Sequence, residues 1–168
     1  MIPTIRRATE ADLPLVSSVL NEAAAWLAAR NAAIWHPDEL APATLAPDVH
    51  AGLYYLALQR GEALQPAQAA GVMRLTSEDP LFWPEATAGE ALYVHRLAVR
   101  RTCAGATVSQ TLLRFAAAEA KRRRCAALRL DCIASRPKLR ALYERFGFRF
   151  HSERHVGPYH VARYELPL

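Results

Sequence analysis

A chain of 168 residues with 52% hydrophobic and 22% charged residues has the make-up of a single globular domain, which excludes an intrinsically disordered protein. Lys and Arg outnumber Asp and Glu by 21 to 16, a net charge of +5 that suits a polyanionic ligand without choosing between a nucleotide-like molecule and nucleic acid. Three cysteines without a CxxC spacing argue against a disulfide framework and a cysteine zinc site, and no apolar run approaches the roughly 18–20 residues of a membrane span. The opening MIPTIRRATEADLP lacks an apolar core of signal-peptide length, so the expected location is cytoplasmic.

In chain order, residues 2–7 read as a first strand. A helix follows from Glu10 to about Arg30, with Leu13, Val16, Val19, Leu20, Ala23, Ala24 and Leu27 at helical spacing and Thr9 as its N-cap. Residues 31–50 read as a loop or short helices. Residues 53–59 and 69–76 form a strand pair, with Gly61 and Glu62 in the turn after the first. Residues 77–90 are a second long loop, and 91–99 are the longest strand. The pattern then changes to a helix from about Gly105 to Arg124, in which Val108, Leu112, Phe115, Ala116 and Ala120 make one apolar stripe. The basic run Lys121 to Arg124 fits the negative end of that helix and reads as a solvated terminus, so no nucleic-acid partner is expected. Residues 126–133 form a strand. Pro137 opens a helix that Gly147 ends, and strands at about 148–155 and 159–166 close the chain around Gly157-Pro158.

This order predicts an α/β (α+β) domain with one mixed sheet. Its informative unit is the strand that feeds a helix through residues 100–104. The free N–H groups of a helix start, with the helix dipole behind them, attract anions. Gly105 lets backbone approach a ligand, Thr107 and Ser109 add hydroxyls, and Arg100 and Arg101 lie just before, so a pyrophosphate suits the place. Neither a GK[ST] phosphate loop nor a GxGxxG fingerprint is present.

Two further units follow: Leu128 to Cys132 on a strand, and Leu142-Tyr143-Glu144-Arg145-Phe146-Gly147-Phe148 at a helix end. With these three units in this order, and with Leu97-Ala98-Val99, Gly105 and Leu112-Leu113 at matching positions, the chain resembles the GNAT acetyltransferase superfamily over most of its length. The resemblance implies a single GNAT-like domain over 1–168, with a mostly antiparallel sheet splayed into a V and flanked by about four helices. It implies acetyl-CoA as cosubstrate, met by the backbone of Leu97, Ala98 and Val99. Its pyrophosphate falls to Ala104, Gly105, Ala106, Thr107, Val108 and Ser109. It also implies Tyr143 near the thioester sulfur as the acid that protonates the leaving thiolate.

The chain departs from the family pattern in keeping only one loop glycine and in lacking the basic residue that opens the loop, a contact that Arg100 or Arg101 can replace. Arg136 stands where the family usually has Asn, and Arg136 with Lys138 is expected at the nucleotide phosphates. For the base, His95 is one candidate, set against a structural histidine bonded to a backbone carbonyl; Glu90 and bulk water are others. Trp26, Trp35, Trp83, Tyr54 and Tyr55 either line an acceptor pocket or pack the interior. No metal is expected. The expected activity is transfer of an acetyl group to a primary amine of a small molecule by direct attack. A non-catalytic acyl-CoA-binding sensor is the alternative, and a homodimer through the final strands is compatible with either.

Overall fold

The computed structural model describes residues 2–59 and 68–168, so Gly61 and Glu62 lie outside the described residues. The expected elements form. They are β1 (Thr4–Arg7), α1 (Leu13–Ala28), α2 (Pro42–His50), β2 (Tyr54–Gln59), β3 (Gln68–Thr76), β4 (Ala91–Val99), α3 (Ala106–Arg122), β5 (Ala127–Ile133), α4 (Pro137–Phe146), β6 (Arg149–Val156) and β7 (Tyr159–Pro167). The seven strands make one sheet in the order β1-β2-β3-β4-β5-β7-β6. Pairing is antiparallel for β1–β2, β2–β3, β5–β7 and β6–β7, and parallel for β4–β5. This is the mixed, mostly antiparallel α/β sheet that the sequence predicts.

The chain divides into two compact units, Met1–Arg74 with Arg96–Leu112, and Leu75–His95 with Leu113–Leu168. In the first, Val16, Val19 and Leu20 of α1 pack with Leu40, Leu45 and Leu56 in one apolar cluster, the face that the helical spacing sets inward. Burying a Val or Leu side chain completely contributes about 1.5–3 kcal/mol, so these positions hold the helix on the sheet. The start of α1 is tied down by charge. Asp12 accepts the Thr9 N–H at 2.8 Å and takes both Arg6 guanidinium nitrogens at 2.6 and 2.8 Å. These bonds, Arg6 first, hold the Asp12 carboxyl far below the usual range. Thr9 is the N-cap of the opening 3-10 turn over Glu10–Asp12, as expected, with Asp12 completing a capping box, and its hydroxyl lies 2.8 Å from the Asp12 carboxylate.

In the second unit, Trp83, Ala91, Tyr93 and Ala127 form a buried cluster. Arg129 lies over Trp83 at 4.8 Å and Arg163 at 4.6 Å, so this indole packs the interior between two cations. Arg129 is held by Glu165 at 2.7 Å, Glu90 at 2.9 Å and the Tyr93 hydroxyl at 3.2 Å. None of the helices among the described residues is long and apolar enough to cross a membrane.

One glycine sets how closely α3 approaches the sheet. A Cβ on Gly71 of β3 would stand 2.9 Å from the Ala98 carbonyl oxygen, 2.9 Å from Val108 Cγ1 and 3.3 Å from Leu112 Cδ1. The first of these is backbone and cannot swing aside. Gly71→Ala is therefore expected to destabilise the protein by about 1–3 kcal/mol through overpacking. Denaturant unfolding checks this, and an unchanged midpoint would show that the contact is slack.

Candidate active site

Val99 hands the chain to a tight turn. The Arg100 N–H bonds the Ala70 carbonyl at 2.8 Å, and a 3-10 turn over Arg101–Cys103 leads to Ala104. Gly105 then takes φ +151 with nothing near the place of a Cβ. A side chain would strain that backbone even though space is open, so glycine serves conformation here. Ala104, Gly105 and Thr107 are exposed, whereas Val108 and Ser109 are buried on the inner side of α3. The first N–H groups of the helix, which no helical carbonyl can reach, thus start from an exposed glycine turn.

A residue that the spacing does not reveal holds this turn. Glu22 of α1 accepts the Arg101 backbone N–H at 2.7 Å and the Arg100 Nη1 at 2.6 Å. The Arg101 bond, then the Arg100 bond, lowers its pKa. Arg100 also gives Nε to the Ala69 carbonyl at 2.9 Å and Nη2 to Ser18 at 3.0 Å. All three of its nitrogens are thus engaged inside the first unit, and its evident work is to brace the loop. Arg101 stays exposed and lies 4.2 Å from the Trp26 ring centroid, with Arg30 at 4.0 Å from the same ring. Trp26 is therefore a platform for two cations, and the expected basic side chain at the loop is best represented by Arg101.

β4 contains a second feature that the sequence hides. Arg96 has φ +49, left-handed backbone that is uncommon for a residue with a side chain. Its Nη1 bonds the Tyr54 hydroxyl at 3.1 Å and the Glu39 carbonyl at 3.3 Å. Strict alternation of faces along a strand assumes extended backbone, and the left-handed residue interrupts it here. Tyr54 is buried, so it packs the interior and supports Arg96.

Within the second unit, the parallel pairing of β4 and β5 runs from Ala91–Ala127 to Val94–Leu130. His95 and Asp131 are the next residue on each strand. Donor atoms of His95, Asp131 and Asp79 all lie within 4.8 Å of one another, the one such group of three among the described residues. His95 Nε2 meets the Thr76 hydroxyl at 2.9 Å. Glu90 is committed to Arg129, which leads the causes that lower its pKa, and a carboxylate held low is a poor base.

Tyr143 is buried on α4, its ring 6.0 Å from Phe148 and 6.3 Å from Tyr164. Burial first, then the neighbouring ionisable groups Cys132 and Asp131, pushes its hydroxyl well above the ordinary phenol range. The Cys132 thiol is pushed up to about 12, again by burial first and Asp131 second. Arg136 caps the start of α4, taking the Leu139 and Arg140 N–H groups on its carbonyl at 3.1 Å, and Lys138 is exposed in the first turn. The candidate residues thus fall in two sets, Leu97 to Ser109 in the first unit, and His95, Arg136, Lys138 and Tyr143 in the second.

Asp131 carries the clearest consequence for pH. Burial first, and Asp79 second, raise its carboxyl to about 7, against the partial relief of Arg163. The folded state then binds a proton that the unfolded chain gives up near pH 4, so the charge costs stability as pH rises from about 4 through about 7. Asp131→Asn should therefore melt close to the native chain near pH 4 and increasingly above it toward pH 8. Parallel melting curves across that range would contradict the burial of this charge.

Comparison with known proteins follows the same lines. Residues 19–148 match the model of the acetyltransferase (GNAT) family. An uncharacterised N-acetyltransferase of Bacillus subtilis, YesJ, is 33% identical over 101 residues, which cover 58% of this chain and 56% of that protein. The chain thus spans little more than half the length of this curated relative. A GNAT-family acetyltransferase of Listeria monocytogenes superposes with a TM-score of 0.79 at 23% identity, covering 99% of this chain and 95% of that one. The PaiA N-acetyltransferase of Thermoplasma acidophilum, solved with coenzyme A, gives a TM-score of 0.73 at 16% identity over 99% and 100% of the two chains. At these identities the two structures are alike in fold. With the family match spanning most of its length, the chain belongs to the GNAT acetyltransferase family.

Proposed function

We propose that the protein moves an acetyl group from acetyl-CoA to a primary amine of a small molecule, by direct attack while both are bound. The observation that carries this reading is the turn from β4 into α3. An exposed glycine turn, braced from below by Glu22 and Arg100, leads into a helix N-terminus. That arrangement suits a diphosphate, whose charge meets the helix dipole and the main-chain N–H groups.

In this reading the backbone of Leu97, Ala98 and Val99 meets the pantetheine. Ala104 through Ser109 supply the phosphate-binding main chain, and Arg101, Arg136 and Lys138 add charge to the nucleotide end. His95 takes a proton from the acceptor ammonium, whose nitrogen keeps the electron pair and attacks the thioester carbon. A main-chain N–H of the Leu97–Val99 stretch stabilises the developing oxyanion. The oxyanion then re-forms the carbonyl as the C–S bond breaks with its electron pair on sulfur, and the attacking nitrogen gives its second proton to water, leaving a neutral amide and a thiolate.

Tyr143 serves that sulfur by donating a hydrogen bond. A free thiol has a pKa near 8.5 and an ordinary phenol about 10, so complete proton transfer from a phenol pushed still higher runs uphill by about 2 kcal/mol or more. Its raised pKa instead keeps the hydroxyl protonated, ready to donate as charge develops on sulfur. Cys132 does not provide a nucleophile for an acetyl-enzyme, since a thiol pushed up to about 12 is almost wholly protonated near neutrality. That supports attack in a ternary complex.

Tyr143→Phe should lower kcat by about tenfold or more while the KM for acetyl-CoA changes little. Release of free coenzyme A thiol over a panel of amines measures this. An unchanged kcat removes Tyr143 from the mechanism. Binding of acetyl-CoA without thiol release for any amine would favour a silent acyl-CoA-binding domain.

A further inference from the structure

The arginines of the first unit differ in how their charge is met. Three of those described are half-buried: Arg74, Arg96 and Arg100. Arg74 pairs with Asp48 at 2.7 Å and Arg100 with Glu22 at 2.6 Å. Arg96 has no carboxylate partner among the described residues; its Nη1 gives to two uncharged oxygens, the Tyr54 hydroxyl at 3.1 Å and the Glu39 backbone carbonyl at 3.3 Å. The nearby carboxylates are engaged elsewhere. That of Glu39 accepts the His36 N–H at 3.3 Å, and that of Asp48 is taken by Arg74.

A guanidinium drawn partly out of water without a counter-ion is costly. The backbone adds to the cost, since φ +49 is strained for a residue with a side chain. Such strain gathers at ligand clamps and active sites. With Nη1 anchored on a buried phenol, the fork is fixed in place, and Nε and Nη2 make no hydrogen bond among the described residues. Their parallel N–H groups match the two oxygens of a carboxylate. A carboxamide offers that edge one oxygen, and its own N–H groups oppose the other donor. Arg96 also directly precedes Leu97-Ala98-Val99, the main chain that the proposed function gives to the pantetheine arm.

We infer that Arg96 docks a carboxylate of the acceptor, so the substrate is a small amine that also carries a carboxylate: an amino acid in the broad sense. The acceptor's part in this rests on the acetyltransferase reading; the carboxylate preference of Arg96 does not.

The probes are α-, β- and γ-amino acids, each beside its carboxamide, with thiol release from acetyl-CoA giving kcat/KM for every one. Amine basicity differs between an acid and its carboxamide, but it cancels when the acid-over-carboxamide ratio of the native protein is divided by that of a variant. For the best acid, Arg96→Gln should lower that ratio by about thirtyfold, the loss of a hydrogen-bonded charge contact. Arg96→Gly suits the left-handed backbone and should act alike, so a folding failure of the glutamine variant leaves the comparison intact. Arg96→Lys keeps the charge without the fork and should fall between. A ratio unchanged in the glutamine and glycine variants, or an equal loss of rate on acids and carboxamides, would overturn the inference and leave Arg96 a brace for Tyr54 and Glu39. Absence of thiol release from any amine would defeat the acetyltransferase reading, and melting curves would then decide the role of Arg96. An amino acid that stabilises the native protein loaded with coenzyme A, but not the Arg96→Gly protein, supports carboxylate docking. Amino acids that stabilise both alike, or neither, overturn it.

Discussion

The carboxylate of Glu22 decides how the chain leaves β4. It takes the Arg101 N–H at 2.7 Å and the Arg100 guanidinium at 2.6 Å, and the Arg100 N–H closes on Ala70 at 2.8 Å. Hydrogen bonds to charged groups contribute about 1.5–3 kcal/mol each when sheltered, and less where water shares them. Together they fix a turn that would otherwise be an open loop. Gly71 complements them from the sheet, since its missing side chain lets Val108 and the Ala98 carbonyl come close. The first turn of α3 is therefore placed by a helix before it, a strand beneath it and the strand that feeds it, all within one compact unit.

A different economy governs the second unit. Its cations are packed: Arg129 and Arg163 flank Trp83, and their carboxylate partners Glu90, Glu165 and Glu85 close the circuits. Against that background Asp131 is an exception. A carboxyl raised to about 7 is a charge the fold shelters poorly, and such groups gather where proton transfer is needed. Arg96, with its left-handed backbone, is the matching exception in the first unit. A conformation of that kind costs on the order of 1–3 kcal/mol and persists only where surrounding contacts enforce it, here the Tyr54 hydroxyl and the Glu39 carbonyl.

Much of the fold was legible in the sequence, because each long element writes its period locally. The stripe Val108, Leu112, Phe115, Ala116 and Ala120 needs no partner to be recognised, and Pro137 and Gly147 mark the ends of α4 by backbone chemistry alone. Gly105 was legible for the same reason. What escaped depends on distance or on unusual backbone. Glu22 lies far along the chain from Arg100 and has the look of an ordinary exposed helix residue. Arg96 gives no sign of left-handed backbone, since arginine has no preference for it. Asp79 sits in a loop that pattern analysis leaves blank, and the partner that gives it meaning, Asp131, comes to it only through sheet pairing. Arg100 was expected at a phosphate and proves to be engaged by Glu22, Ser18 and Ala69. The sign of a side chain is plain in a sequence, whereas its partner is not.

The central claim is that the main chain between Val99 and Ser109 grips a diphosphate, and comparing two ligands by calorimetry tests it most directly. Coenzyme A and pantetheine share the thiol arm, but only the first carries the diphosphate and nucleotide. The account predicts measurable binding of coenzyme A and binding of pantetheine weaker by about a hundredfold or more, a difference of about 2.7 kcal/mol. Equal affinity for the two, or no heat from coenzyme A at millimolar concentration, would contradict it.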